Sequence, residues 1–189
     1  MKRIILGLIF CGVTSVGFAN SDTVFGIKLG ENITKQNIPP CSKEIFNQTC
    51  YVDEGKFAYI HLTKEESPKY VKNNILMLGQ IDGKVEMIYF RTNGFDDDIN
   101  MLLTLTEKFG KYKSLNQLYT PHKTRNGSKI TSSYAVWQIP DKDLKNIYIN
   151  LNGVSVDDVD TGTVKINTEK YKNMLDKEDA LKKANERKL

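Results

Sequence analysis

The spacing of apolar and polar positions along this chain changes period several times, and each change marks an element. Between Lys56 and Thr63, Phe57, Tyr59 and His61 alternate with Ala58, Ile60 and Leu62, the period of two that a strand with unlike faces requires. Two further β-rich runs, NILMLGQI at 74–81 and KVEMIYFRT at 84–92, are separated by Asp82-Gly83. Asp-Gly between such runs predicts a tight hairpin, because both central positions need positive φ. Upstream, TVFGIKLGENI at 23–33 predicts a short strand entering a glycine-punctuated turn, and residues 34–55, with Pro39-Pro40, read as irregular.

The period becomes helical in FDDDINMLLTLTEKFGK, residues 95–111, where Ile99, Leu102, Leu103, Thr106 and Phe109 fall on one predicted face. Asp96, Asp97 and Asp98 supply a cap and favourable charge at its start, a simpler reading of the triplet than a cation site. Lys108 sits in the last turn and Gly110 fits the left-handed stop. Alternation then returns. NQLYT and ITSSYAVWQI flank a turn at Asn126-Gly127, NIYINL precedes a turn expected at Asn152-Gly153, and TGTVKIN closes the series.

Strands, one long helix and more strands without regular helical crossovers predict an α+β fold: an antiparallel β-sheet with one long amphipathic helix packed on one face, plus a C-terminal helix. Trp137, Tyr134, Tyr148 and Phe90 are expected in the core or on a sheet face. Residues 20–167 form the single domain. In 168–189, Tyr171, Met174, Leu175 and Leu181 share one side of a helix whose last dozen residues are highly charged and read as helix end or partly disordered tail.

The first 19 residues stand apart. Lys2 and Arg3 precede an apolar run, and Gly17-Phe18-Ala19 offers small residues where a signal peptidase reads, so cleavage near Ala19 and export to the periplasm or beyond are expected. Phe10 before Cys11 departs from a lipidation signal. Glycine and hydroxyl residues dilute the run below the roughly 20 apolar residues of a spanning helix, and no transmembrane span is expected in the mature chain.

Export changes the meaning of the cysteines. Cys41 and Cys50 are the two cysteines left after cleavage, and in an oxidising compartment such a pair is expected to form a disulfide. A redox motif wants C-x-x-C spacing, and a zinc site needs about four ligands, which these cysteines with His61 and His122 reach only by drafting in every histidine of the chain. No metal and no cofactor is expected.

The net charge of +4 falls by Lys2 and Arg3 to +2 on cleavage, too small for a general polyanion binder, so nucleic acid is not an expected partner. No G-x-S-x-G elbow, P-loop, H-E-x-x-H or dinucleotide fingerprint is present. SVDDVDTG at 155–162 fails the spacing of a calcium loop and reads as an Asp-rich turn. One segregation of charge remains. From Lys108 to Pro140 there is no Asp or Glu, while Lys123, Arg125 and Lys129, with His122 beside them, gather around Asn126-Gly127. A hairpin there presents a basic tip, which is either a solvated surface or a site for an anionic surface or acidic protein.

FGIKLGENI at 25–33, KVEMIYFRTNGF at 84–95, the helix after it, KFGKYKS at 108–114 and AVWQIPD at 135–141 resemble small exported proteins of Gram-negative bacteria. They are also similar to the compact α+β domains of envelope-assembly lipoproteins and of the β-lactamase inhibitory protein. The segment after Gly30 lacks the helical pattern those domains place there. The resemblance implies protein binding or assembly rather than catalysis, with an envelope or exported protein as partner, and carries over no functional residue. The alternatives are a small periplasmic hydrolase using His61 or His122, and an accessory subunit docked by its C-terminal helix.

Overall fold

Residues 22–42 and 48–186 are described by the computed structural model, apart from the side chains at 95–96 and 117–122. The segment expected to be a signal peptide lies outside the described residues. A small ribbon, β1 (Thr23–Val24) and β2 (Ile27–Lys28), turns at Phe25-Gly26, so where one short strand entering a turn is expected within 23–33, two short strands pair. The chain then builds β3 (Cys50–Asp53), β4 (Phe57–His61), β5 (Ile75–Ile81), β6 (Lys84–Thr92) and helix α1 (Phe95–Phe109). It continues through β7 (Ser114–Lys123), β8 (Lys129–Asp141), β9 (Lys145–Val156), β10 (Val159–Thr168) and helix α2 (Glu169–Glu186).

Strands β3 to β10 form one eight-stranded sheet in the order β3-β4-β5-β6-β10-β9-β8-β7, antiparallel at every step. It consists of two four-stranded meanders, β3–β6 and β7–β10, joined where their last strands pair. Short turns make all but two of the connections within this series; β4 and β5 are joined by residues 62–74, which end in a 3-10 turn at Lys72–Asn74. The longer link, β6 to β7, is made by α1, which crosses β10, β9 and β8 on one face. The sheet is therefore larger than a single helix can cover.

Alternation decides what each face carries. On the α1 side, Ala58, Leu78, Ile88, Ile166, Ile149 and Trp137 stand opposite one another across six strands, and none is more than 1% exposed. The β1–β2 ribbon closes the same side: Val24, Ile27, Leu29 and Ile33 join this core, and the ring of Phe25 meets that of Phe90 edge-on at 5.3 Å. Trp137 also donates its indole N–H to the Gly110 carbonyl at 2.9 Å, which satisfies its one polar atom inside the core.

Helix α1 ends as expected, with Gly110 at φ 78° and its N–H bonded to the Thr106 carbonyl. Its start differs. Gly94 is the cap residue and no side chain caps it; Asp97 instead reaches back to accept from the Asn93 backbone N–H at 3.3 Å and Nδ2 at 2.7 Å. The buried face differs in part. Leu102 and Phe109 pack against the core as expected, but Asp98, Met101 and Leu105 are the buried positions, while Ile99 and Leu103 are 49% and 63% exposed. The first turn anchors the Asp98 carboxylate on the sheet side, and in this roll of the helix the most apolar stripe faces partly outward.

The turn expected at Asn152-Gly153 does not exist. Strand β9 runs through both residues, and the chain reverses at Asp157-Asp158, with φ of 49° and 66°. Gly153 serves another purpose. It pairs with Gly162 across β9 and β10, and a Cβ on either would collide with the carboxylate of Asp98. The Asp82-Gly83 hairpin is as expected, with φ of 55° and 72°.

The two outer edges are treated differently. Cys41 and Cys50 form a disulfide with Cα atoms 4.9 Å apart. The chain leading into it lies parallel to β3, with Tyr51 N–H donating to the Pro39 carbonyl and Cys41 N–H to the Tyr51 carbonyl. The disulfide thus fixes a cover on the β3 edge. At the other end, β7 carries Pro121, which has no N–H to offer a further strand, and its pairing with β8 is irregular between Leu118 and His122.

Candidate functional site on the open face of the sheet

The face opposite α1 is built from the other half of each strand. One row crosses all eight strands: Val52, Tyr59, Met77, Tyr89, Lys165, Asn150, Val136 and Ser114 stand opposite one another in that order. Two neighbouring rows add Arg91, Thr163, Asn152 and Tyr134 on one side and Asn167, Tyr148 and Gln138 on the other. Aromatic, amide and basic side chains therefore share this surface, in contrast to the all-apolar row behind it.

Helix α2 lies over part of this face. It begins where β10 ends, and Tyr171, 5% exposed, covers Gly79, where a Cβ would lie 2.7 Å from the tyrosine ring. The helix is anchored by its first two turns. The Thr168 hydroxyl donates to the Glu86 carboxylate at 2.5 Å and accepts from the Tyr171 N–H, and Asn146 Nδ2 donates to Glu169 at 2.6 Å. Beyond Leu175 the helix continues with exposed residues, Leu181 among them.

A groove of about 530 Å³ separates α2 from β8 and β9, with Lys113, Tyr134, Tyr148, Lys165, Lys172 and Leu175 on its walls and floor. Its polar groups are partly fixed. Tyr134 donates its hydroxyl to Asn150 Oδ1 at 3.2 Å, Lys113 Nζ donates to Gln138 Oε1 at 2.7 Å, and Lys172 pairs with Asp176 at 2.5 Å while standing 5.6 Å from the Tyr148 ring centroid. Lys165 is the cation on the floor. Its Nζ lies 5.5 Å from the Tyr171 ring centroid, and burial holds its pKa below the ordinary lysine value while the Asp179 carboxylate pulls it back up.

The basic residues singled out from sequence lie elsewhere. Lys123 and Lys129 are register partners at the mouth of the β7–β8 hairpin, and Arg125 is on its turn, all three exposed. His122 belongs to β7, opposite Ile130, and its side chain lies outside the described residues. The tip has an acidic neighbour that sequence order hides: Asp157 accepts from the Lys129 backbone N–H at 2.8 Å, and this bond, with one from Ser128, holds its carboxyl below the usual range. His61 stands in β4 between Ile75 and the disulfide-bonded Cys50, so neither ladder neighbour is a nucleophile. Among the described residues no group of three or more His, Cys, Asp or Glu could hold a metal ion, and no helix is long and apolar enough to cross a membrane.

Lys165, Tyr134 and Asn150 were not candidates from sequence. The strand alternation in TVKIN and NIYINL separates their face from that of Val164, Ile166 and Ile149, but that these residues of separate strands line one groove depends on the strand order and on α2. In comparisons with protein-family models, curated proteins and solved structures, no match to the chain emerged.

Proposed function

We propose that this chain is an exported, non-enzymatic binding module that presents the open face of its sheet to a partner protein. One observation carries the reading. Of the nine large hydrophobic side chains that are exposed among the described residues, four (Tyr134, Val154, Val156 and Val159) lie together on β8–β10 of this face, and two more (Val52 and Phe57) stand at its β3–β4 end. An apolar cluster among polar side chains is the mark of an interaction surface rather than of scattered exposure.

Export rests on the N-terminal segment and fits the disulfide, which persists in oxidising compartments. A surface on a rigid sheet also costs little ordering on binding, because the backbone beneath it is already fixed. An envelope or exported protein is the partner class, in keeping with the small net charge and the implied likeness to assembly and inhibitor domains.

The test is photocrosslinking in the native host, with a photoreactive residue at position 134 and, separately, at 125. Capture of one protein from 134 and not from 125 is the expected result. Capture from 125 alone moves the site to the basic hairpin tip, and capture from neither removes the reading. N-terminal sequencing of protein recovered from the exported fraction checks cleavage near Ala19. A second reading, docking through the C-terminal helix, is favoured by the exposed second half of α2; truncation after Asp176 abolishes capture only if that reading holds.

A further inference from the structure

Resting on that reading, we infer that the β7–β10 half of the open face takes an extended segment of the partner in which a carboxylate side chain precedes or follows a short apolar run. The carboxylate seats on Lys165 between Lys113 and Lys172, and the apolar side chains lie on Val154, Val156 and Val159.

The charge argument begins on the floor of the groove. Lys172 is paired with Asp176, and Lys113 is bonded only to the neutral Gln138. The ladder neighbours of Lys165 are Asn150 and Tyr89, and among the described residues no carboxylate lies within ion-pair distance of its Nζ. Two cations therefore face the groove with one acid on its walls, already engaged. A half-buried ammonium gains from an incoming anion what it lost in hydration.

The other end of the strip is apolar. Val154 is opposite Ser132 and Thr161, and Val156 is opposite Ile130 and Val159, so the three exposed valines adjoin at the β9–β10 hairpin end. Asn150 to Val156 is six residues along one strand, about 20 Å, the span of roughly six extended residues. Between the two ends stand Tyr134, Asn152 and Thr163 in a single row. Those donors and acceptors suit the backbone of a peptide. An acyl chain crossing Asn152 and Thr163 would cover their polar groups without pairing them, and a polyanion would gain nothing from the valines.

The experiment is selection of a displayed random heptapeptide library on the purified protein and, in parallel, on Lys165→Met and Val154→Asp. The expected result is enrichment of peptides that set Asp or Glu about four residues from an apolar pair. Lys165→Met abolishes the acid preference, and each variant weakens a selected peptide at least about tenfold by fluorescence anisotropy, the loss expected for one charge-assisted bond or one desolvated contact. Unchanged thermal unfolding keeps both variants interpretable. No enrichment, enrichment without acids, or an acid preference that survives Lys165→Met overturns the inference, as does binding to anionic phospholipid vesicles or to heparin in place of peptides. Capture at position 134 that is insensitive to Lys165→Met overturns this inference and leaves the interaction surface standing, whereas loss of all capture at 134 removes the surface itself.

Discussion

The carboxylate of Asp98 occupies the space in which a side chain at Gly153 would stand. Thr92 donates to the same carboxylate at 3.1 Å and Ser133 at 3.5 Å, and Gly162, the cross-strand partner of Gly153, gives it room on the other side. A polar anchor thus holds the first turn of α1 on the sheet, where apolar packing would ordinarily do so.

That anchor makes stability depend on pH in an unusual direction. Burial raises the Asp98 pKa from 3.8 to about 6, with Asp97 and Asp160 adding to the rise and the bonds from Thr92 and Ser133 opposing it. Between those two values the native chain keeps a proton that the unfolded chain has released, so this group's contribution falls as pH rises through the window and stays low above it. Each pKa unit is about 1.4 kcal/mol, so the rise from 3.8 to about 6 is a penalty at neutral pH on the order of 3 kcal/mol. Asp98→Asn is expected to be more stable than the parent at pH 7 and nearly equal to it at pH 4. Urea denaturation of both proteins at four pH values reads the difference, and a constant gap would sink the idea.

The glycines are expected to be as restrictive as the aspartate. Gly153→Ala forces a methyl group against Asp98, and Gly162→Ala forces one against Thr92 and Asp98, each costing roughly 1–3 kcal/mol as overpacking does. Combining Gly153→Ala with Asp98→Ala removes the nearest obstacle and leaves the Ser133 hydroxyl, 2.7 Å from the new Cβ. A double-mutant cycle should therefore show a favourable coupling; additive losses would mean the space is contested by something else.

Reduction of Cys41–Cys50 reopens a loop with a sequence separation of 9, and the loop-entropy model assigns such a closure about 2.5–3 kcal/mol. The cover on the β3 edge loosens with it. A lower denaturation midpoint in reductant, matched by Cys41→Ser/Cys50→Ser without reductant, is the expected outcome. Hydrogen exchange should rise first at Tyr51, whose N–H bonds to Pro39.

Helix α2 is expected to detach before the sheet unfolds. Its docking depends on Tyr171 lying against Gly79, with no room for a methyl group between them. Gly79→Ala or Tyr171→Ala should expose the helix to limited proteolysis while the Trp137 fluorescence of the core is preserved. Simultaneous loss of both signals would show that α2 belongs to the same cooperative unit.

Much of the scaffold was legible because it is local. The period of KFAYIHLT, the Asp82-Gly83 turn, the stop at Gly110 and the extended runs after the helix are all set by residues within a few positions of one another. So is the disulfide, since export is expected from the N-terminal segment and only two cysteines lie beyond Ala19. The errors fell where distant residues intervene. Asn152-Gly153 has the chemistry of a turn, but Gly153 is small because an aspartate from α1 stands over it. Ile99 and Leu103 have the spacing of a buried face, but the roll of the helix that brings Asp98 onto the sheet leaves them exposed.

The sequence by itself determined most of the elements (though not β3, within the stretch read as irregular), their two-faced alternation, the export signal as an expectation and the pairing of Cys41 with Cys50, since backbone propensity and hydrophobic period act over short range. Only the tertiary structure decided that β6 pairs with β10, that α1 and α2 lie on opposite faces, and that Lys113, Lys165 and Lys172 surround one groove. Strand order and helix placement are fixed by burial summed over the whole sheet, and no local stretch of residues encodes that sum.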